Sequence, residues 1–193
     1  MDKIILASSS PRRIEMMKKH GYETMIIPAD IDESLDSSIP AKDAVMFLAL
    51  KKALAVEKDV LSSNPELSGK VLIAADTVVY KDEILGKPLD REDAKRMLKT
   101  LSATEHYVST GVCIMRIGTS NKEVFCDTTK VFCKPLSDED IEEYLDTPEP
   151  YDKAGAYAIQ GIFSKHIAGY EGSFNTVVGF PIEIIKEKLD LLK

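Results

Sequence analysis

Strand-like and helix-like runs alternate along the whole chain, and two of the strand-like runs flank a short turn as an antiparallel pair. This mixture confines the fold to α/β or α+β with a mixed sheet. Residues 3–7 read as a buried strand, Ser8-Ser9-Ser10-Pro11 as a turn, and residues 12–20 as a helix closed by Gly21. Ser10 suits the N-cap and Pro11 the first helical position, where a missing N–H loses nothing. A short strand follows over 24–28, an acidic loop over 30–39, and a long helix from Pro40 to about Val60. Ser-Ser-Asn-Pro and Ser-Gly mark 61–70 as a loop. Residues 71–80 read as a strand, 81–83 as a hairpin turn into Ile84-Leu85, and 90–101 as an amphipathic helix. Residues 106–117 and 122–134 form a long hairpin across Gly118-Thr119-Ser120-Asn121. Ser137 caps a short acidic helix to about Leu145, 147–150 is a Pro-rich loop, and 163–170 reads as a strand. Residues 181–192 read as a closing helix with Ile184, Ile185, Leu189 and Leu192 on its apolar side.

A length of 193 residues fits one compact domain, or one domain with a cleft between two lobes. At this size about 70% of the chain's surface is buried on folding, so the core needs no staples. Cys113, Cys126 and Cys133 include no CxxC pair and read as reduced core or strand residues. His20, His106 and His166 are scattered, so a metal, if used, sits on carboxylates and phosphate oxygens. No run approaches the ~20 apolar residues of a membrane span. The apolar run at the N-terminus is too short for a signal peptide, so a cytoplasmic protein without a membrane partner is expected. Net charge is −7, and the stretch from Lys134 to Asp152 holds eight acids and one base, which leaves the rest neutral. A basic field for a nucleic-acid polymer is absent. A small anion held by a few placed cations remains open.

Six short segments have the residue types for chemistry. Ser8-Ser9-Ser10-Pro11-Arg12-Arg13 lies between a strand and a helix. Hydroxyls, guanidiniums and a helix N-terminus together suit a phosphate; the plainer alternative is a capped helix with two solvated arginines. Lys51 and Lys52 both rise from apolar neighbours in the long helix. One is expected to reach solvent along its alkyl stem, and the other to hold an anion. Asp76 sits in the apolar run 71–79, where a carboxylate is costly unless paired or metal-bound. It reads as a metal ligand, a general base or a structural acceptor. Gly86-Lys87-Pro88 follows the hairpin as a turn with an exposed Lys or as a further cation for an anion. Asp30-Ile31-Asp32-Glu33 is a solvated acidic loop or a source of one oxygen ligand for Mg²⁺. In residues 152–161 small side chains permit close approach, and Gln160 offers an amide with both a donor and an acceptor.

Taken together, LASSSPRR (6–13), IDE (31–33), KKA (51–53), AADTVV (74–79), GKP (86–88), DKAGAYAIQG (152–161) and GSFNTVVGFP (172–181) resemble the Maf (septum-formation) family of nucleoside triphosphate pyrophosphatases. The match covers nearly the whole chain. The resemblance implies a single domain over 1–193, an elongated mixed β-sheet flanked by helices, and two lobes around a cleft. It is similar to the inosine triphosphate pyrophosphatase architecture. The implied reaction turns a nucleoside triphosphate and water into the monophosphate and pyrophosphate, with Mg²⁺ or Mn²⁺. DKAGAYAIQG looks like the branch acting on dTTP and UTP; the branch preferring 7-methyl-GTP has an acidic residue where Gln160 stands. Position by position, Asp76 matches the proton acceptor, and Arg12, Thr77 and Gln160 match positions tied to base preference. Ser10, Arg13, Glu33, Lys52, Lys87 and Lys153 match polar residues lining the cleft. Glu33 and Asp76 are then the candidate metal carboxylates, and metal ligand and base compete for Asp76. A homodimer is also implied. The segment before Pro181 departs from the commoner family form, which has Leu where Phe180 stands; this reads as a packing change. The rival to the enzyme reading is a nucleotide-binding regulator of cell division that turns over little, and a second rival is a 7-methyl-GTP pyrophosphatase.

Overall fold

The structure is a computed structural model that describes residues 3–34 and 38–191. Leu35, Asp36 and Ser37 of the acidic loop, and Leu192 of the closing helix, lie outside the described residues. The elements are β1 (Ile4–Leu6), α1 (Pro11–Lys19), β2 (Thr24–Ile26), α2 (Ala41–Ser63), β3 (Val71–Lys81), β4 (Glu83–Leu85), α3 (Arg91–Leu101), β5 (Glu105–Arg116), β6 (Lys122–Cys133), α4 (Asp138–Leu145), β7 (Ile167–Glu171), α5 (Phe174–Val178) and α6 (Ile182–Leu191). One seven-stranded sheet has the hydrogen-bonded order β2-β1-β3-β5-β6-β7, with β4 on β3. β1 pairs parallel with β2 and β3, while β4 on β3 and β7 on β6 are antiparallel. The mixed sheet expected from the alternating runs is present, with helices between its strands.

The chain divides into two compact units, and the boundary falls inside β3, directly after Asp76. The first unit is Met1–Asp76, Thr110–Asp127 and Gly179–Lys193; the second is Thr77–Ser109 and Thr128–Val178. The core of the first unit gathers Ile5, Leu72 and Ala74 from β1 and β3, Cys113 and Met115 from β5, and Ala49, Ala53, Val56 and Val60 from α2. Small residues on α2 let the sheet come close. At Gly111 of β5, a Cβ would lie 2.3 Å from the Val45 carbonyl oxygen, so only glycine fits there. Burial pushes the Cys113 thiol up to about 12, as expected of an inert core cysteine.

The second unit packs α3 and α4 together and has an aromatic centre. Phe163 lies 5.0 Å from Tyr144, 5.1 Å from Tyr157 and 5.3 Å from His166 between ring centroids. His106 is 0% exposed, and its Nε2 lies 2.7 Å from the Tyr157 hydroxyl. Burial, helped by the nearby Lys81 charge, lowers the His106 pKa to about 4. Between about pH 6.5 and 4 the unfolded chain therefore binds a proton that the folded protein does not. Stability is intact above this window and falls as the pH drops through it, by roughly 3 kcal/mol at full extent. Denaturant melts at pH 7 and pH 5 should show this loss shrinking in His106→Gln. An equal pH dependence in both proteins would reject His106 as its source.

Some element boundaries differ from the sequence expectation. α2 runs on to Ser63, with the Ser62 hydroxyl turned back onto the Lys58 carbonyl at 2.8 Å and so compatible with the helix rather than ending it. Leu67 then sits in a 3-10 turn, Pro65–Leu67, rather than open loop. The strand expected over 163–170 begins only at Ile167, because Ile162–His166 is a 3-10 turn. α5 was not foreseen; its β-branched Thr176, Val177 and Val178 mask a one-turn helix that Ser173 caps through the Thr176 N–H.

Candidate active site

In the first unit the apolar run of β3 ends in a paired charge. Asp76 is 8% exposed, and its Oδ1 accepts from Lys52 Nζ at 2.6 Å. The same ammonium lies 2.8 Å from Glu33 Oε1, so one lysine of α2 holds two carboxylates from distant parts of the chain. Glu33 is the solvated partner, with its side chain 52% exposed against 11% for Asp76. The two lysines have different partners within the protein. Lys51 Nζ donates to the Asp32 carbonyl at 2.6 Å, and Lys52 takes the anionic side. The rotation of α2 decides this, because Ala49, Ala53, Val56 and Val60 face the core.

Arg13 stands beside this pair. Its Nε donates to the Gly179 carbonyl at 2.9 Å, and Nη1 donates to the Ala75 carbonyl at 2.8 Å and the Ser8 hydroxyl at 3.3 Å. It thus ties α1, β3 and the segment before α6. Loss of water lowers the guanidinium's pKa, opposed by the Asp76 charge. Ser10 occupies the N-cap position of α1 but makes no side-chain cap; its N–H instead donates to Ser8 Oγ at 3.2 Å. Ser8 is therefore the one of the three serines that accepts both from Arg13 and from the Ser10 N–H, a distinction the sequence alone does not make. Its burial next to an arginine singles it out. Arg12 is half-buried on the first turn of α1.

In the second unit Thr77 follows Asp76 on β3 and is half-buried. The Gly155 N–H donates to the Gly86 carbonyl at 2.9 Å, which sets the Lys87 turn against the segment carrying Lys153. Gly155 has φ +67°, and a Cβ there would lie 2.8 Å from the Val79 side chain. The Lys153 side chain is 14% exposed; it pairs with Asp152 and reaches the Glu149 carbonyl at 3.4 Å. Lys87 is exposed, with no ion pair among the described residues. Gln160 is exposed between buried Ile159 and half-buried Gly161, and its amide makes no hydrogen bond among the described residues. The structure thus gathers Arg13, Glu33, Lys52 and Asp76 in one unit, and Lys87 and Lys153 in the other.

No three His, Cys, Asp or Glu side chains gather into a self-standing metal site among the described residues. The donor set nonetheless fits a magnesium-type ion. Glu33 and Asp76 are hard oxygen donors drawn to one positive charge, and such an ion takes one or two carboxylates together with substrate phosphates. Among the described residues no helix is long and apolar enough to cross a membrane.

Known proteins agree with the sequence segments. The chain is 45% identical over 199 aligned residues to a protein of Caldicellulosiruptor bescii named dTTP/UTP pyrophosphatase, covering 100% of this chain and 98% of that one. It is 44% identical to a protein of the same name from Acetivibrio thermocellus, covering 100% and 95%. A solved structure of the Staphylococcus aureus Ham1 protein covers 100% of both chains at 12% identity and a TM-score of 0.49, a likeness too slight to carry weight. The Maf-like protein family matches residues 3–192, and the chain belongs to that family.

Proposed function

We propose that the chain hydrolyses dTTP and UTP to the monophosphate and pyrophosphate, with residues 1–193 working as one nucleotide-handling domain. Its relatives at 44–45% identity over the full chain have the name dTTP/UTP pyrophosphatase. The structural observation that supports the reading most is the Asp76–Lys52 pair: a carboxylate and an ammonium, both largely withdrawn from water, on β3 and α2. Such a pair suits a reaction needing a proton acceptor beside phosphate charge.

A triphosphate brings close to four negative charges to a protein of net charge −7, so its binding depends on local cations. In the first unit Arg13 and Lys52 offer them, with the Ser10 hydroxyl and the positive end of α1; in the second unit Lys87 and Lys153 offer them. Asp76 orients the attacking water and takes its proton as the oxygen closes on the α-phosphorus. The lysines and Arg13 stabilise the charge that develops on the leaving pyrophosphate. Glu33 would hold Mg²⁺ or Mn²⁺, which when bound neutralises phosphate oxygens; Asp76 is its second candidate carboxylate only where it does not serve as the base.

Base choice falls to Gln160, with Arg12 and Thr77 as supporting positions. Thymine and uracil present an N3–H donor flanked by carbonyl acceptors, and one primary amide can meet both in a plane. Gln160→Glu removes the amide donor and adds a charge that repels the carbonyls. It should lower kcat/KM for UTP about 10-fold or more and leave the melting temperature unchanged, because Gln160 is exposed. An unaltered kcat/KM would remove Gln160 from the role. The reaction itself is tested by a coupled pyrophosphate assay on UTP, dTTP, CTP, GTP and 7-methyl-GTP with and without Mg²⁺. Turnover of UTP and dTTP is expected. Preference for 7-methyl-GTP, or binding without turnover, would overturn the proposal in favour of the other nucleotidase or the regulator.

A further inference from the structure

We infer that Glu149 is a positioning residue that clasps the loop carrying Lys153 and Gln160 and so sets nucleotide selection; the inference rests on the function proposed above. The Glu149 carboxylate is half-buried and accepts three hydrogen bonds. Oε2 accepts from the Ile162 N–H at 2.9 Å, while Oε1 accepts from the Phe163 N–H at 3.3 Å and the Tyr144 hydroxyl at 2.9 Å. Those two N–H groups open the 3-10 turn Ile162–His166 and have no partner within it. A side chain 13 and 14 residues earlier satisfies them, which closes 149–163 into a loop.

Two further observations show that the clasp is built in. A Cβ on Gly161 would lie 2.0 Å from Glu149 Oε2, so the carboxylate packs directly on that backbone and a side chain at 161 would displace it. The Glu149 backbone carbonyl meanwhile accepts from Lys153 Nζ at 3.4 Å. One residue therefore touches both the ammonium assigned to phosphate and the backbone next to the amide assigned to the base. Tyr144 is itself locked by ring packing on Phe163, so the carboxylate is anchored to the core of its unit. Gln160 has no side-chain partner to hold it among the described residues. The orientation of its amide then depends on how firmly its backbone is fixed, and that firmness comes from Glu149.

The test uses Glu149→Gln, which keeps size and one acceptor oxygen, and Glu149→Ala, which removes both. Hydrogen exchange of the full-length protein without nucleotide reads the clasp alone. The amides of Ile162 and Phe163 should exchange faster in the order wild type, Gln, Ala. Steady-state kinetics on UTP and CTP reads the consequence. KM for UTP should rise on the order of 10-fold in Glu149→Ala, with a smaller change in kcat and a reduced preference for UTP over CTP. Glu149→Gln should recover part of both. Unchanged exchange at 162 and 163 overturns the clasp. Faster exchange with unchanged KM and base preference overturns its role in selection. Wild-type protein that does not turn over UTP at all overturns instead the function on which the inference rests.

Discussion

Asp76→Asn is expected to lower UTP turnover by on the order of 10² or more, the scale of a positioned acid–base group, in a protein that still folds. Asn is nearly isosteric, and its Oδ1 can still accept from Lys52 Nζ, the 2.6 Å contact that Asp76 makes. The ammonium also keeps Glu33 at 2.8 Å, so the substitution leaves no lysine without a counter-charge. What disappears is the proton acceptor and one negative charge. The loss should therefore fall on kcat, and the melting temperature should move by no more than a few degrees. Pyrophosphate release near the wild-type rate would take Asp76 out of the chemistry.

Lys52→Met is expected to cost both stability and activity. It leaves the Asp76 side chain, 11% exposed, without its partner. Removing one member of a buried pair typically destabilises by about 3 kcal/mol, because the remaining charge has lost its hydrogen-bonded partner and little water replaces it; here the nearby Arg13 charge offsets only part of the loss. For a domain of this length that corresponds to a fall in melting temperature of roughly 6–12 °C. The double variant with Asp76→Asn should regain much of the lost stability, because the stranded charge is then gone; its activity should not return. A double-mutant cycle showing additive losses would mean that the two side chains do not depend on each other.

Much of the fold is legible in the sequence because local signals and packing agree. The Ser137 cap of α4, the amphipathic pattern of α3 and the apolar runs of β3 and β5 all point to the elements found. Where local signals conflict with long-range contacts, the reading fails. Residues 163–166 look like strand, yet they belong to the turn Ile162–His166, whose first two N–H groups answer to a carboxylate at Glu149 that no window of sequence connects with them. The site shows the same division. The cost of burying Asp76 is visible in its apolar neighbours, so the need for a partner can be inferred. That the partner is Lys52 and not Lys51 depends on how α2 rotates against the sheet, and both lysines have apolar neighbours a turn away. Arg13 was legible as a cation, but its ties to the Ala75 and Gly179 carbonyls depend on the tertiary fold.

Every role proposed for the site follows from water attacking the α-phosphorus of a pyrimidine triphosphate. Hydrolysis of UTP by the wild-type protein in ¹⁸O-enriched water, followed by mass spectrometry of both products, tests it directly. The heavy oxygen should appear in UMP, with unlabelled pyrophosphate. Label in the pyrophosphate, or release of single inorganic phosphate, would contradict the claim.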